Sequence, residues 1–98
     1  TDIAGPVDNL PAEFALQQNY PNPFNPVTNI TYSVPRTSDV ELKVYNNLGQ
    51  EVVTLVDGQK SAGSHTATFN GADLPSGIYF YRLQADDVSI TKRLVLVK

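Results

Sequence analysis

Apolar and polar residues alternate with a period of two along most of the chain, the spacing of strands with one face buried. In residues 29–34, Ile30, Tyr32 and Val34 share one face, and Asn29, Thr31 and Ser33 the other. Pro35 ends that segment. In residues 40–45, Val40, Leu42 and Val44 read as inward, with Glu41 and Lys43 outward. Residues 52–56 are mostly apolar, without a clear inward face. Residues 64–69 put His65, Ala67 and Phe69 together. Residues 78–85 begin apolar on both faces, Ile78 and Phe80 against Tyr79 and Tyr81, which predicts a central strand. Residues 88–97 form the last strand. Its parity breaks near Lys92-Arg93, which predicts a bulge there. Residues 14–16 add a short edge strand.

Turn chemistry separates these segments. Asn46-Asn47-Leu48-Gly49 is a turn, with Gly49 suited to positive φ. Asp57-Gly58 and Ala62-Gly63 bracket a polar loop. Asn70-Gly71 and Pro75-Ser76-Gly77 bracket another, and Asp86-Asp87 makes a hairpin connection. No stretch sustains a helical period. About seven strands with turns roughly every ten residues predict an all-β, immunoglobulin-like antiparallel sandwich.

The segment Asn19-Tyr20-Pro21-Asn22-Pro23-Phe24-Asn25-Pro26 is different. Three prolines in six residues fix φ and remove three backbone donors. The residue before each is pushed to extended geometry. The segment therefore reads as a rigid extended loop, with Tyr20 and Phe24 pinning it to the core and Tyr20-Pro21 a candidate for a cis bond. Before it, Gly5, Pro6, Asp8, Asn9 and Pro11 fall without periodicity. Residues 1–13 read as a linker from an upstream domain, and residues 14–98 as the domain itself.

Composition narrows the chemistry. The chain has 98 residues, enough for one domain, and a net charge of −3 from seven Lys+Arg and ten Asp+Glu. That balance argues against nucleic acid as a partner. Cys, Met and Trp are absent and one His is present. Disulfides, thiolate metal sites, cysteine nucleophiles and His clusters are therefore excluded. The longest apolar runs, 78–81 and 94–97, are too short to be transmembrane segments. No signal peptide is visible, and the missing initiator Met reads as a piece of a longer chain.

Each candidate site also has a plain structural reading. His65 has no nucleophile pattern beside it and reads as a structural or surface histidine. Asp57, Asp73, Asp86 and Asp87, with Asn22 and Asn25, could offer oxygens to Ca²⁺, but each suits a turn and no loop spacing joins them. Tyr20, Tyr32, Tyr45, Tyr79 and Tyr81 could stack sugars, yet most fall at core or pinning positions, leaving Tyr45 as the best outward candidate. Asn29-Ile30-Thr31 matches a glycosylation sequon inside an expected strand. Asp57-Gly58-Gln59-Lys60 lacks phosphate-loop spacing and a following helix. One His and turn-borne carboxylates assemble no catalytic constellation, so neither enzyme activity nor a cofactor is expected.

The proline-rich segment, continued by Val27-Thr28, resembles the opening signature of the C-terminal sorting domains of the type IX secretion system. Four later blocks agree with that family in order and spacing: residues 44–52 around Gly49, 62–65 around Gly63, 74–83 with Gly77 and Tyr79, and 91–98. The pattern is also similar to the immunoglobulin-like domain of flagellar hook-capping proteins. The resemblance implies a non-catalytic module at the end of a large exported protein of Bacteroidetes and related bacteria. It implies passage through the periplasm to the cell surface or medium. The implied partners are the outer-membrane translocon, its sorting peptidase and a covalently linked upstream cargo. It places the recognition information on the last strand, here Lys92, Arg93, Leu94, Val95, Leu96, Val97 and Lys98. The residues support that strand independently, because three of the seven positive charges fall in the last seven positions. With nothing downstream to tether it, a terminal strand is expected to detach or be paired at modest cost. The linker is expected to expose the cleavage region. An accessory carbohydrate-binding or hook-cap-like assembly module is the alternative reading.

Overall fold

Among the described residues seven antiparallel strands form, the longer ones where β-branched and aromatic residues gather. They are β1 (Ala15–Leu16), β2 (Val27–Val34), β3 (Ser38–Tyr45), β4 (Glu51–Lys60), β5 (Gly63–Asn70), β6 (Gly77–Ala85) and β7 (Val88–Leu96). The structure is a computed structural model that describes residues 13–98. Apart from Glu13, the expected linker and its cleavage region lie outside the described residues.

The strands divide into two sheets, β1-β2-β5 and β4-β3-β6-β7. This is the expected immunoglobulin-like sandwich, with the fourth strand beside the third. Ile30, Tyr32 and Val34 of β2 face Val40, Leu42 and Val44 of β3 and Tyr79, Tyr81 and Leu83 of β6 across one core. β6 lies between β3 and β7, so the central strand is where its sequence put it.

Two expectations are corrected. Asp57 and Gly58 belong to no loop: they continue β4, opposite Glu41 and Val40. Pairing with β3 supplies hydrogen bonds that local turn chemistry could not anticipate, and the β4–β5 connection shrinks to residues 61–62. β7 carries no bulge, since its register with β6 runs unbroken from Val88 opposite Ala85 to Leu96 opposite Gly77. Lys92 simply occupies the inward row, half-buried. On the outermost strand of a sheet, a long stem can cover apolar surface and carry its ammonium out to solvent. The register shifts fall instead in the β3–β4 pair, after Leu42 and after Val44.

Tight turns close the ladders. Gly49 takes φ 84° in the β3–β4 turn, where the Asn46 side-chain oxygen accepts the N–H groups of Leu48 and Gln50 at 2.9 and 3.0 Å. Asp86 adopts φ 50° in the two-residue β6–β7 hairpin, a region Asp tolerates. Gly63 and Gly77 open β5 and β6.

Candidate functional site

The last strand is built into the domain from three sides. Leu94 and Leu96 are fully buried in the core, while Arg93, Val95 and Val97 face outward. β6 pairs with one edge of the strand along its whole length. The proline-rich segment takes the other edge. The Phe24 N–H donates to Val95 O at 2.9 Å, and the Val97 N–H donates to Phe24 O at 2.9 Å, a single parallel bridge. The Val95 N–H donates to Asn22 Oδ1 at 3.0 Å, and Gln18 Nε2 donates to Arg93 O at 2.7 Å. At the end, the Lys98 N–H donates to Ser76 Oγ at 3.1 Å and Lys98 Nζ to Ala72 O at 2.6 Å. A terminal strand free to detach was the expectation; the fold instead clamps residues 93–98. The clamp joins the first and last motifs of the sequence, some seventy positions apart.

The period-two geometry shows how far the clamp extends. Because Val95 and Val97 bond outward, the odd-numbered residues of β7 aim their backbone groups away from β6. Arg93 O, both groups of Val95 and the Val97 N–H are occupied. Among the described residues, no such partner reaches Ser89 or Thr91.

The clamp has its own foundation. Asn19, not Tyr20, is buried beneath it, and Tyr20 is 80% exposed. Tyr20 was expected to pin the loop with its ring; it does so with its backbone, exchanging two 3.0 Å hydrogen bonds with Asn29. That leaves the inward position to Asn19, whose Nδ2 donates to Pro21 O at 3.1 Å and Thr28 Oγ1 at 3.0 Å. Thr28 Oγ1 donates in turn to Pro21 O at 2.8 Å. Phe24 pins as expected, buried against Phe69 with ring centroids 5.7 Å apart. The bonds before Pro21, Pro23 and Pro26 are all cis.

Tyr81 connects this foundation to β6. Its hydroxyl donates to Gln17 O at 2.7 Å and accepts from the Asn19 N–H at 2.9 Å. Burial pushes the phenol up to about 12, against an opposing effect from the Asn19 hydrogen bond. Burial raises Tyr32 as well. The unfolded phenol ionises near 10.0, so the unfolded chain gives up its proton first. Stability from Tyr81 is present below pH 10.0 and is lost as pH rises through about 12. Tyr81→Phe should flatten part of that alkaline loss in urea melts. It should also cost about 1–3 kcal/mol at neutral pH by orphaning the buried Asn19 N–H and the part-buried Gln17 carbonyl. An alkaline slope as steep as the parent's would count against this assignment.

The remaining candidates are dispersed. His65 stacks on Tyr32 at 5.4 Å, and its Nε2–H donates to Ser61 O at 2.8 Å. Tyr32, Tyr79 and Tyr81 are core residues, and Tyr79 donates its hydroxyl to Pro75 O at 2.6 Å. Tyr45 faces outward beneath Arg82, whose guanidinium carbon lies 5.0 Å from the ring centroid. Asp86 pairs with Arg36 at 2.6 Å, and Asn22 is spent on Val95. Among the described residues, no three His, Cys, Asp or Glu side chains gather as a metal site. The sequon asparagine lies within β2 and accepts from Thr68 Oγ1 at 2.9 Å. Among the described residues, no helix is long and apolar enough to cross a membrane.

Sequence reasoning missed Gln18, Asn19, Ala72 and Ser76 as supports of the last strand. Asn19, the first residue of the proline-rich motif, and Ser76, inside the block 74–83, carried signals that could have found them. Neither a curated protein nor a solved structure matches the chain. Residues 18–98 match the family described as the secretion system C-terminal sorting domain. That span runs from the first clamp residue, Gln18, to Lys98, and the chain belongs to this type IX sorting family.

Proposed function

We propose that this domain is the non-catalytic export signal of a larger protein. It directs an upstream cargo from the periplasm through the type IX secretion system to the cell surface or medium. The outer-membrane translocon recognises the folded domain, and the sorting peptidase acts on the segment that joins it to the cargo. Residues 92–98 carry the recognition. The observation that carries this reading is the family match over residues 18–98. It is supported by the way the family's two end motifs meet in space, so that the last strand is displayed in one defined geometry.

A fusion tests it. The full chain, Thr1 to Lys98, is attached to the C-terminus of a periplasmic reporter in a type IX-competent host. The reporter is expected at the surface or in the medium, and in the periplasm of a translocon-deficient strain. Periplasmic retention in the competent host would overturn the reading.

A further inference from the structure

The two solvent faces of the sandwich differ in chemistry. On the three-stranded sheet, Asn29, Thr31 and Ser33 stand opposite Thr68, Thr66 and Ser64, a surface of hydroxyls and an amide. On the four-stranded sheet, the register sets Ile78 beside Val95, and Phe80 between Tyr45 and Arg93. Ile78 is 43% exposed at the start of the central strand. Large apolar side chains in the middle of a sheet's solvent face are costly to leave wet, and contiguous ones mark interaction sites.

The charges on this face differ from the chain's net −3. Lys43 lies 3.8 Å from Glu41 and 3.5 Å from Glu51, so those three charges largely satisfy one another. The two carboxylates, Glu41 first, accordingly hold the Lys43 ammonium above its ordinary range. Arg82 stacks on Tyr45 and donates to its hydroxyl at 2.8 Å, which fixes the guanidinium over the sheet. Among the described residues, no carboxylate pairs with Arg82 or Arg93. The two are diagonal neighbours, roughly 7–8 Å apart at their backbones. Beside them lies an open concavity of about 450 Å³, floored by Tyr45, Phe80 and Arg82 and walled by the β3–β4 turn.

The route of approach is also constrained. Strand addition along residues 93–97 is blocked, because Gln18, Asn22 and Phe24 hold that edge. A partner that reads the clamped end of β7 must therefore reach it through side chains on the sheet face.

We propose that the outer face of the β4-β3-β6-β7 sheet, centred on Ile78, Phe80 and Val95 and flanked by Arg82 and Arg93, docks a partner protein. That partner presents an apolar patch bordered by carboxylates. The inference rests on the export reading above and names the surface through which the signal is read. The apolar centre supplies desolvation, and the two arginines select carboxylates at its rim. A flat sheet with an apolar middle suits a protein surface better than a small anion, which would need the arginines alone.

The test uses the reporter fused to the full chain. Ile78→Thr with Phe80→Thr removes the apolar centre while keeping residues that favour strands. Arg93→Glu reverses the rim charge, Arg93→Lys keeps it, and Thr66→Glu is the control on the opposite sheet. Surface reporter should fall roughly tenfold or more for the double variant and for Arg93→Glu. It should stay near the parent for Arg93→Lys and Thr66→Glu, with purified Arg93→Glu melting like the parent. If the parent is exported and Arg93→Glu and the double variant match it, the docking face is refuted and the export reading stands. If the parent itself stays in the periplasm, the export reading fails and the docking face falls with it. Sedimentation of the purified chain should give a monomer. A dimer abolished by the double variant would assign the face to a second copy. Binding to phosphatidylglycerol vesicles lost in Arg93→Glu would assign it to anionic lipid. Either result overturns the proposal.

Discussion

Removing residues 92–98 is expected to unfold the domain. The deletion takes out Leu94 and Leu96, both fully buried. Truncating one such leucine to alanine costs about 2–5 kcal/mol. Two together approach about 4–10 kcal/mol, against a total stability of about 5–15 kcal/mol for a small domain. The deletion also strips β6 of its neighbour and leaves the clamp without a partner. The packing at this end is close. A Cβ on Gly71 would stand 3.1 Å from Leu96 Cδ2 and 3.5 Å from Phe24 Cε2, so a larger residue there would press on the Leu96 side chain. Amide proton spectra of the truncated chain should lose their dispersion. Leu94→Ala alone should lower the urea midpoint by an amount worth about 2–5 kcal/mol. A truncated chain that melts within about 1 kcal/mol of the parent would show that the strand is an appendage. The functional consequence is direct: loss of export on deleting this strand reports unfolding as much as lost recognition. Substitutions at its outward positions, Arg93 and Val95, separate the two.

Phe24→Ala is expected to release the clamp. The ring is almost fully buried, packs at a tilt of 57° on Phe69 and lies beside Gly71 and Leu96. Losing it should cost about 3–5 kcal/mol. The loss acts at a hinge between two structures, because the same residue's N–H and C=O bond to Val95 and Val97. Hydrogen exchange distinguishes core filling from clamping. If the ring positions the backbone, exchange at the Val97 amide should quicken by more than the drop in global stability accounts for. Exchange at Ile90, far from the clamp on the same strand, should follow global stability alone. Equal acceleration at both amides would reduce Phe24 to a core residue. Phe24→Leu, which keeps much of the buried volume, should retain most of the protection at Val97.

The clamp bears on solubility as well as display. An outermost strand with open N–H and C=O groups invites pairing with other chains. Here the proline-rich segment covers half of that edge, and Pro21, Pro23 and Pro26 have no N–H with which to extend the pairing to a further strand. The other half, around Ser89 and Thr91, has no such cover among the described residues and is short and polar. The same clamp limits the ways a receptor can engage the terminal residues.

Most strand positions were legible in the sequence because one face of those strands is wet and the other dry. The alternation of residues 29–34 and 40–45 survives intact in β2 and β3. The errors fall where a strand's neighbour matters more than its own residues. Asp57-Gly58 reads locally as a turn, yet β3 draws it into the ladder. Lys92 reads as a break in parity, yet an outermost position lets it stay in register. Tyr20 reads as an anchor and Asn19 as a loop residue. Their roles exchange because backbone pairing with Asn29 aims the tyrosine outward, and a buried hydrogen-bond network accepts the amide.

The candidate site divides in the same way. The sequence alone determined the sandwich, the family and the cationic, alternating character of residues 92–98, because these depend on residue types and their spacing. The apolarity of residues 78–81 on both faces was visible too, but it indicated only a central strand. Two things were decided by tertiary structure. One is that residues 18–24 close over the edge of β7, a contact between chain segments that no local pattern encodes. The other is that Ile78, Phe80, Val95, Arg82 and Arg93 share one solvent face. Sheet register, set by the burial of the opposite face, brings them together from strands whose order along the chain does not reveal it.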